Sequence, residues 1–315
     1  MKSNVIKYIF FIAVIIIVGV AVYMIYEDNK SNSENTENQT TAQTNQTITD
    51  LRMEIVSYDT INPLISNNRN VQEITKLVFE PLLQLDENYK LQPCLATEWA
   101  KSGDTSYILK LRNNVKWQDG TSFTAQDVKY TIETLKQINS IYSYNVQHVT
   151  SVDIIDNYSI RINLDTIIPF FEYNLIFPIV SSTYFAGQDI QNTEKNNTPI
   201  GTGMYKIESN SDNTVVLKKN TSWWNISEKN AKVDTINVNK YSSMGEAYNA
   251  FKLGNIDILT TENINIEDNI GTIGYNKKEF YGREHDFIAL NTYDEFLSRW
   301  EVRKAISYAI DKSSI

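Results

Sequence analysis

Hydrophobic and polar positions divide the chain into three zones. From Tyr8 to Tyr26 (YIFFIAVIIIVGVAVYMIY) runs an uncharged, largely apolar stretch of 19 residues. As a helix it would measure about 28 Å, close to the hydrocarbon thickness of a bilayer. From Asn29 to Asp50 (NKSNSENTENQTTAQTNQTITD) apolar side chains almost vanish, so this stretch lacks the surface to offset the entropy of ordering and reads as a flexible stalk. Beyond Leu51 apolar residues recur with two periods. In YILKLR they place Tyr107, Leu109 and Leu111 on one face. In YSIRINL they place Tyr158, Ile160, Ile162 and Leu164 on one face, the alternation of a half-buried strand. VDTINVN and NIDIL are further strand candidates. Thr124 with Asp127 has the form of a capping box, followed by Val128, Ile132 and Leu135 at helical spacing. Ser243 and Glu246 repeat the cap, Ala247 and Phe251 supply the stripe, and Gly254 closes that helix. WQDG, Trp117 to Gly120, marks a turn. Strands interleaved with helices predict an α/β or α+β fold.

Charge fixes the expected topology. Lys2 and Lys7 precede the apolar run and Glu27 and Asp28 follow it, which places residues 1–7 in the cytoplasm, a transmembrane signal anchor over 8–26 and a stalk over 27–50. The run is longer than the apolar core of a signal peptide and ends in Tyr23, Met24, Ile25 and Tyr26 rather than small residues, which argues against cleavage. The globular part is thus expected outside the cell membrane on a single-pass tether. A net charge of −9 with no basic stripe argues against nucleic acid as a partner.

Candidate chemistry is sparse. The single cysteine, Cys94, and two distant histidines, His148 and His285, offer no metal-ligand spacing, so no metal and no cofactor are expected. Neither G-x-S-x-G nor H-E-x-x-H occurs, and 38 carboxylates make chance pairs too common to argue from, so the chain does not read as an enzyme. Only 11 glycines are present, yet two flank Thr202 in PIGTGMYKIE. A phosphate cradle needs a following helix N-terminus, whereas YKIE reads as a strand; a tight turn feeding a strand is the better reading. The 19 tyrosines and 5 tryptophans are a rich supply of rigid surface with a polar handle, suited to a ligand cleft. IYSYN, with Tyr142 and Tyr144, is the most polar setting for a Tyr pair.

The order of several segments resembles a known family. EPLLQLDENYKLQPCLATEWAKSGDTSYILKLRNNVKWQDGTSFTAQDVKYTIETL, from Glu80 to Leu135, is similar to the N-terminal lobe of family 5 extracellular solute-binding proteins, the oligopeptide-, dipeptide- and nickel-type receptors of ABC importers. Leu95, Ala96, Trp99, Leu111, Arg112, Trp117, Asp119, Gly120, Thr124, Ala125, Asp127 and Val128 carry that match in order. PIGTGMYK, NTSWWN, FKLGNIDIL and EVRKAISYAIDKSSI resemble the family's later motifs. Cys94 stands where the family has Gly, and Met204 where it has Pro. The resemblance implies a two-lobe α/β fold of the periplasmic-binding-protein type (type II, large peptide-binding subclass). Its first lobe would cover 51–282 with an inserted subdomain over 79–198, and 283–315 would begin a second lobe that is truncated at the C-terminus. It also implies that the two glycines sit where chain segments cross closely. The implied function is a membrane-anchored receptor that captures short peptides in an interlobe cleft and delivers them to an ABC permease. A peptide-signal sensor without transport and a nickel or metal-chelate receptor are the alternatives. Candidate ligand contacts are Asn62, Pro63, Trp117, Tyr142 and Tyr144. Tyr142 falls where the resemblance expects a cleft tyrosine; the others follow from polarity and loop position.

Overall fold

The computed structural model describes residues 49–279 and 287–311. The expected anchor over 8–26, the stalk up to residue 48 and His285 lie outside the described residues. Among the described residues no helix is long and apolar enough to cross a membrane. The chain divides into two compact units, one ending at Ile270 and one beginning at Gly271.

The first unit opens with strand β1 (Asp50–Val56) and helix α1 (Arg69–Thr75), then the small hairpin β2 (Leu83–Leu85) and β3 (Leu91–Pro93). Next come β4 (Ala96–Lys101), β5 (Ser106–Leu111), α2 (Ala125–Leu135), the single turn α3 (Ser143–Val146), β6 (Val149–Asp156) and β7 (Ser159–Leu164). The chain returns through β8 (Tyr205–Asn210), β9 (Thr214–Lys219), β10 (Thr235–Tyr241), α4 (Met244–Lys252) and the short α5 (Glu267–Ile270). In the second unit, Gly271 and Gly274 take positive φ, and α6 (Trp300–Ala309) is held at its start by Arg303 Nη1 donating to the carbonyls of Leu297 and Ser298 at 2.7 and 2.8 Å.

Two four-stranded sheets carry the first unit. One has the order β1-β10-β9-β8, with β1 parallel to β10 and the rest antiparallel. The other, β4-β5-β7-β6, is antiparallel throughout. The mixed α/β class expected from the sequence is the one observed. Alternation decides the strands: Tyr107, Leu109 and Leu111 of β5 and Ile160, Ile162 and Leu164 of β7 are all buried, while Lys110 and Arg161 between them are exposed. The first sheet also takes in the end of the stretch read as stalk, since the Thr49 carbonyl accepts from Asp234 and Thr235 N–H at 2.8 and 3.0 Å. One predicted strand differs. NIDIL forms only an isolated bridge, Ile258 to Met53, because the Asp257 carboxylate rather than its backbone takes the Arg52 N–H.

A continuous core of buried apolar side chains runs from Ile55 and Val238 through Val78 and Phe79 to Leu109 and Ile160. The two-glycine segment explains how both layers share it. Gly203 N–H donates to Val78 O at 2.8 Å and Tyr205 N–H to Leu77 O at 2.9 Å, so the returning chain lies directly on the departing one. A Cβ on Gly201 would stand 1.9 Å from Val78 O, and one on Gly203 2.6 Å from Leu77 O. Neither glycine has the positive φ of a tight turn; clearance, not turn geometry, requires them. Beside this crossing the buried Glu80 carboxylate accepts from the indole N–H groups of Trp223 and Trp224 at 3.0 and 2.8 Å, with the Arg112 guanidinium stacked 4.2 Å from the Trp224 ring centre. Burial nonetheless pushes the Glu80 carboxyl above the usual carboxylate range.

Candidate ligand-binding site

The loop between β1 and α1 buries Ile61, Pro63 and Leu64, and its short polar side chains turn back on the loop's own backbone. Ser57 takes a left-handed φ of 56° directly after β1. The Asp59 carboxylate then accepts from Thr60 N–H at 2.7 Å, Ser66 Oγ at 2.7 Å and Asn67 N–H at 2.9 Å. Asn68 caps α1, its Oδ1 accepting from Asn70 and Val71 N–H while its Nδ2 donates to the carbonyls of Val56 and Ser57. Asx-type closure of this kind satisfies the backbone without strand pairing and leaves a loop of one shape.

Into this loop the structure places Asn62 and Pro63, both buried. Asn62 Oδ1 accepts from Leu64 N–H at 3.0 Å, and its Nδ2 donates to Asn196 Oδ1 at 2.7 Å, across 134 residues of sequence. Gln72 of α1 donates to the carbonyls of Pro63 and Ser66 at 3.1 and 2.8 Å, and its Oε1 accepts from Tyr142 Oη at 2.6 Å. Through Gln72, then, the Asn62–Pro63 loop and Tyr142 become one hydrogen-bonded group. Tyr142 is half-buried, and Tyr144 beyond it is 73% exposed next to the exposed Ile141.

Trp117 lies elsewhere. It is 2% exposed, its indole N–H donates to Asp127 Oδ2 at 3.2 Å, and its ring meets Phe123 edge-on. Its expected place at the cleft is therefore corrected: the ring fills the core under α2, where an amphipathic side chain finds both apolar contact and an acceptor, and leaves no surface for a ligand. Asn62 and Pro63 likewise serve the loop from inside. Only Tyr142 and Tyr144 among the five present side-chain surface.

A second strip borders the loop. Residues 257–262 run along β1, where Arg52 clasps Asp257 with its backbone N–H at 2.8 Å and its guanidinium at 3.0 and 2.6 Å. Glu54 Oε1 accepts from Thr260 N–H at 2.7 Å, and Arg69 pairs with Glu262. Glu54 is 1% exposed, its Oε2 has no hydrogen-bond partner among the described residues, and burial raises its pKa. Sequence reasoning missed Gln72, Asp59 and Glu54. Gln72 could have been read as a polar residue on the buried stripe of α1; Glu54 alternates with Leu51, Met53 and Ile55, on the same face as Asp50 and Arg52, so the sequence pattern gave no sign of its burial. His148 pairs with Asp165 at 3.0 Å on the surface, apart from the loop. Burial drives the Cys94 thiol pKa strongly upward, which keeps it a thiol. What the loop group offers at the surface is the Tyr142 and Tyr144 side chains, carried beside a loop whose amides and carbonyls are hydrogen-bonded within it, a character suited to holding a ligand.

Comparison with known proteins agrees with this character. The profile of bacterial extracellular solute-binding proteins, family 5 (middle), matches residues 90–315. Glutathione-binding protein GsiB of Escherichia coli (strain K12) is 28% identical over 172 residues, which are 53% of this chain and 34% of that protein. NikZ from Campylobacter jejuni, solved in complex with Ni(L-His), superposes with a TM-score of 0.63 at 28% identity, covering 86% of this chain and 54% of NikZ. The Bacillus subtilis oligopeptide-binding protein AppA, solved with a nonapeptide, shares the fold at a TM-score of 0.63 and 20% identity, over 84% of this chain and 54% of AppA. The chain thus spans about half the length of these solved proteins, and its match spans about a third of the curated relative. With more than half of its residues inside the family profile and its fold shared with these receptors, the chain belongs to family 5 of the bacterial extracellular solute-binding proteins.

Proposed function

We propose that this chain is the ligand-capturing component of an ABC importer, tethered outside the cell membrane by its apolar N-terminal run and taking short peptides. The family match over residues 90–315 carries the reading. The pinned loop supports it: Pro63, Gln72 and Tyr142 are locked by mutual hydrogen bonds, so a peptide laid against Tyr142 and Tyr144 would meet a surface already in shape. Receptors of this kind close two lobes over the ligand by hinge motion, and no bond is made or broken. A relative named for binding glutathione favours a peptide. A relative solved with Ni(L-His) gives the metal-chelate reading its own support.

Native mass spectrometry of the full chain with a mixture of short peptides, run in parallel with nickel and L-histidine, tests the two. Saturable peptide adducts, weakened about tenfold by Tyr144→Ala, are the expected result. Adducts with the nickel–histidine mixture alone would replace the peptide reading with the chelate reading, and adducts with neither would remove the importer role as stated.

A further inference from the structure

A cavity of about 450 Å³ opens at the β4 edge of the second sheet, away from the loop group and sharing no residue with it. We propose that it is a second binding site, for a small organic cation with an apolar body, such as an alkylated or aromatic amine.

Its size lies within the usual span of small-molecule sites, roughly 300–1,000 Å³. Trp99 of β4 and Tyr107 of β5 form one side and the turn from Ile167 to Phe170 the other. That turn holds its shape through an unusual backbone. Phe170 takes the left-handed region (φ 57°, ψ 34°), which a bulky side chain rarely occupies. The consequence is a division between neighbours: Phe171 points inward, its ring 5.3 Å from Tyr107, whereas Phe170 stays 74% exposed, edge-on to Tyr173 at 6.5 Å. Strain that leaves an aromatic ring in water at the mouth of a cavity is not compensated by burial, and such strain collects at ligand clamps.

Charge then selects the ligand. One basic and one acidic side chain line the cavity, Lys101 and Glu172. The Lys101 ammonium lies 4.0 Å from Asp104, whereas the half-buried Glu172 carboxylate makes no ion pair among the described residues. A carboxylate with no ion pair of its own beside Trp, Tyr and Phe side chains is the chemistry that holds an alkylated ammonium: the rings attract the cation through their quadrupoles, the carboxylate by its charge, while the Lys101 ammonium lies toward Asp104. The net charge of −9 favours approach of a cation and not of an anion.

The test uses the full chain and benzyltrimethylammonium as the probe, with its neutral carbon isostere as the control, read by isothermal calorimetry. Saturable binding of the cation is expected, at least tenfold tighter than the isostere and at least tenfold weaker in Glu172→Gln. Intermolecular nuclear Overhauser contacts from the probe's N-methyl protons to the Trp99 and Phe170 rings of the unsubstituted protein locate the site independently of any variant. Equal binding of cation and isostere, unchanged binding in a folded Glu172→Gln protein, or no contacts to those rings would each overturn the proposal. Peptide adducts at the loop group are a separate readout, so either site can fail without the other.

Discussion

Val78 O lies where a side chain on Gly201 would have to go, and the Leu77 and Val78 carbonyls crowd Gly203 in the same way. Both obstacles are backbone already engaged in hydrogen bonds, so neither can yield cheaply. Gly201→Ala is expected to cost about 3 kcal/mol or more, at the upper end of overpacking effects, in urea unfolding. Gly245 makes the contrast: a Cβ there meets nothing closer than Ser243 Oγ at 3.8 Å, and Gly245→Ala in α4 should be neutral or stabilise by about 0.5–1 kcal/mol. The same scale decides a pH effect. Burial raises the Glu54 pKa, so its stabilising contribution is complete below the ordinary carboxylate range and is lost as pH rises through the raised value. Glu54→Gln keeps an acceptor for Thr260 and removes the titration. Unfolding free energies of variant and wild type, measured from about pH 4.5 upward, should diverge in the variant's favour as pH rises. A difference constant in pH would show that Glu54 titrates like an exposed carboxylate.

At the scale of elements, the caps differ in reach although the sequence writes them alike. At α4, Ser243 Oγ accepts from Glu246 N–H at 3.3 Å, and the Glu246 carboxylate accepts from Ser242 N–H at 3.0 Å. At α2 the buried Asp127 accepts from Thr124 N–H at 2.8 Å and also from Trp117 Nε1, Ser182 N–H and Ser182 Oγ, which lie outside the helix. Asp127→Ala would orphan the buried Trp117 donor and the part-buried Thr124 and Ser182 donors at once and is expected to cost about 3 kcal/mol or more. Ser243→Ala loses an exposed cap, at about 1 kcal/mol. Equal costs in denaturant titrations would mean that the bonds to Trp117 and Ser182 contribute nothing. The cap motif at Thr124 and Asp127 was legible; that its carboxylate also ties down Ser182 was not, because that partner is 55 residues distant.

For the whole molecule, the unit ending at Ile270 contains both sheets and the continuous core. A chain ending at Ile270 should therefore fold and unfold cooperatively by itself, with near-ultraviolet circular dichroism and a melting midpoint within a few degrees of the full chain's first transition. Loss of cooperativity would place part of its stability in residues 271–315. The peptide and amine sites proposed above both lie within this unit, so the shortened chain also reports whether each site binds without residues 271–315.

The sequence by itself determined what period and local chemistry encode: β5 and β7 from alternation, α2 and α4 from caps and stripes, the crossing glycines and the family from ordered motifs. The strand and helix signals each sit within a few residues, and the family is carried by the order of motifs along the chain, so no knowledge of which segments touch is needed to read them. Only the tertiary structure decided which of the candidate aromatic residues keep an exposed surface. Trp117 and Tyr142 are both aromatic residues with a polar handle near turns, yet one donates to Asp127 inside the core and the other to Gln72 at a half-exposed loop. The acceptor each one reaches is fixed by the fold, and burial of an aromatic side chain follows its acceptor and its packing rather than its local sequence.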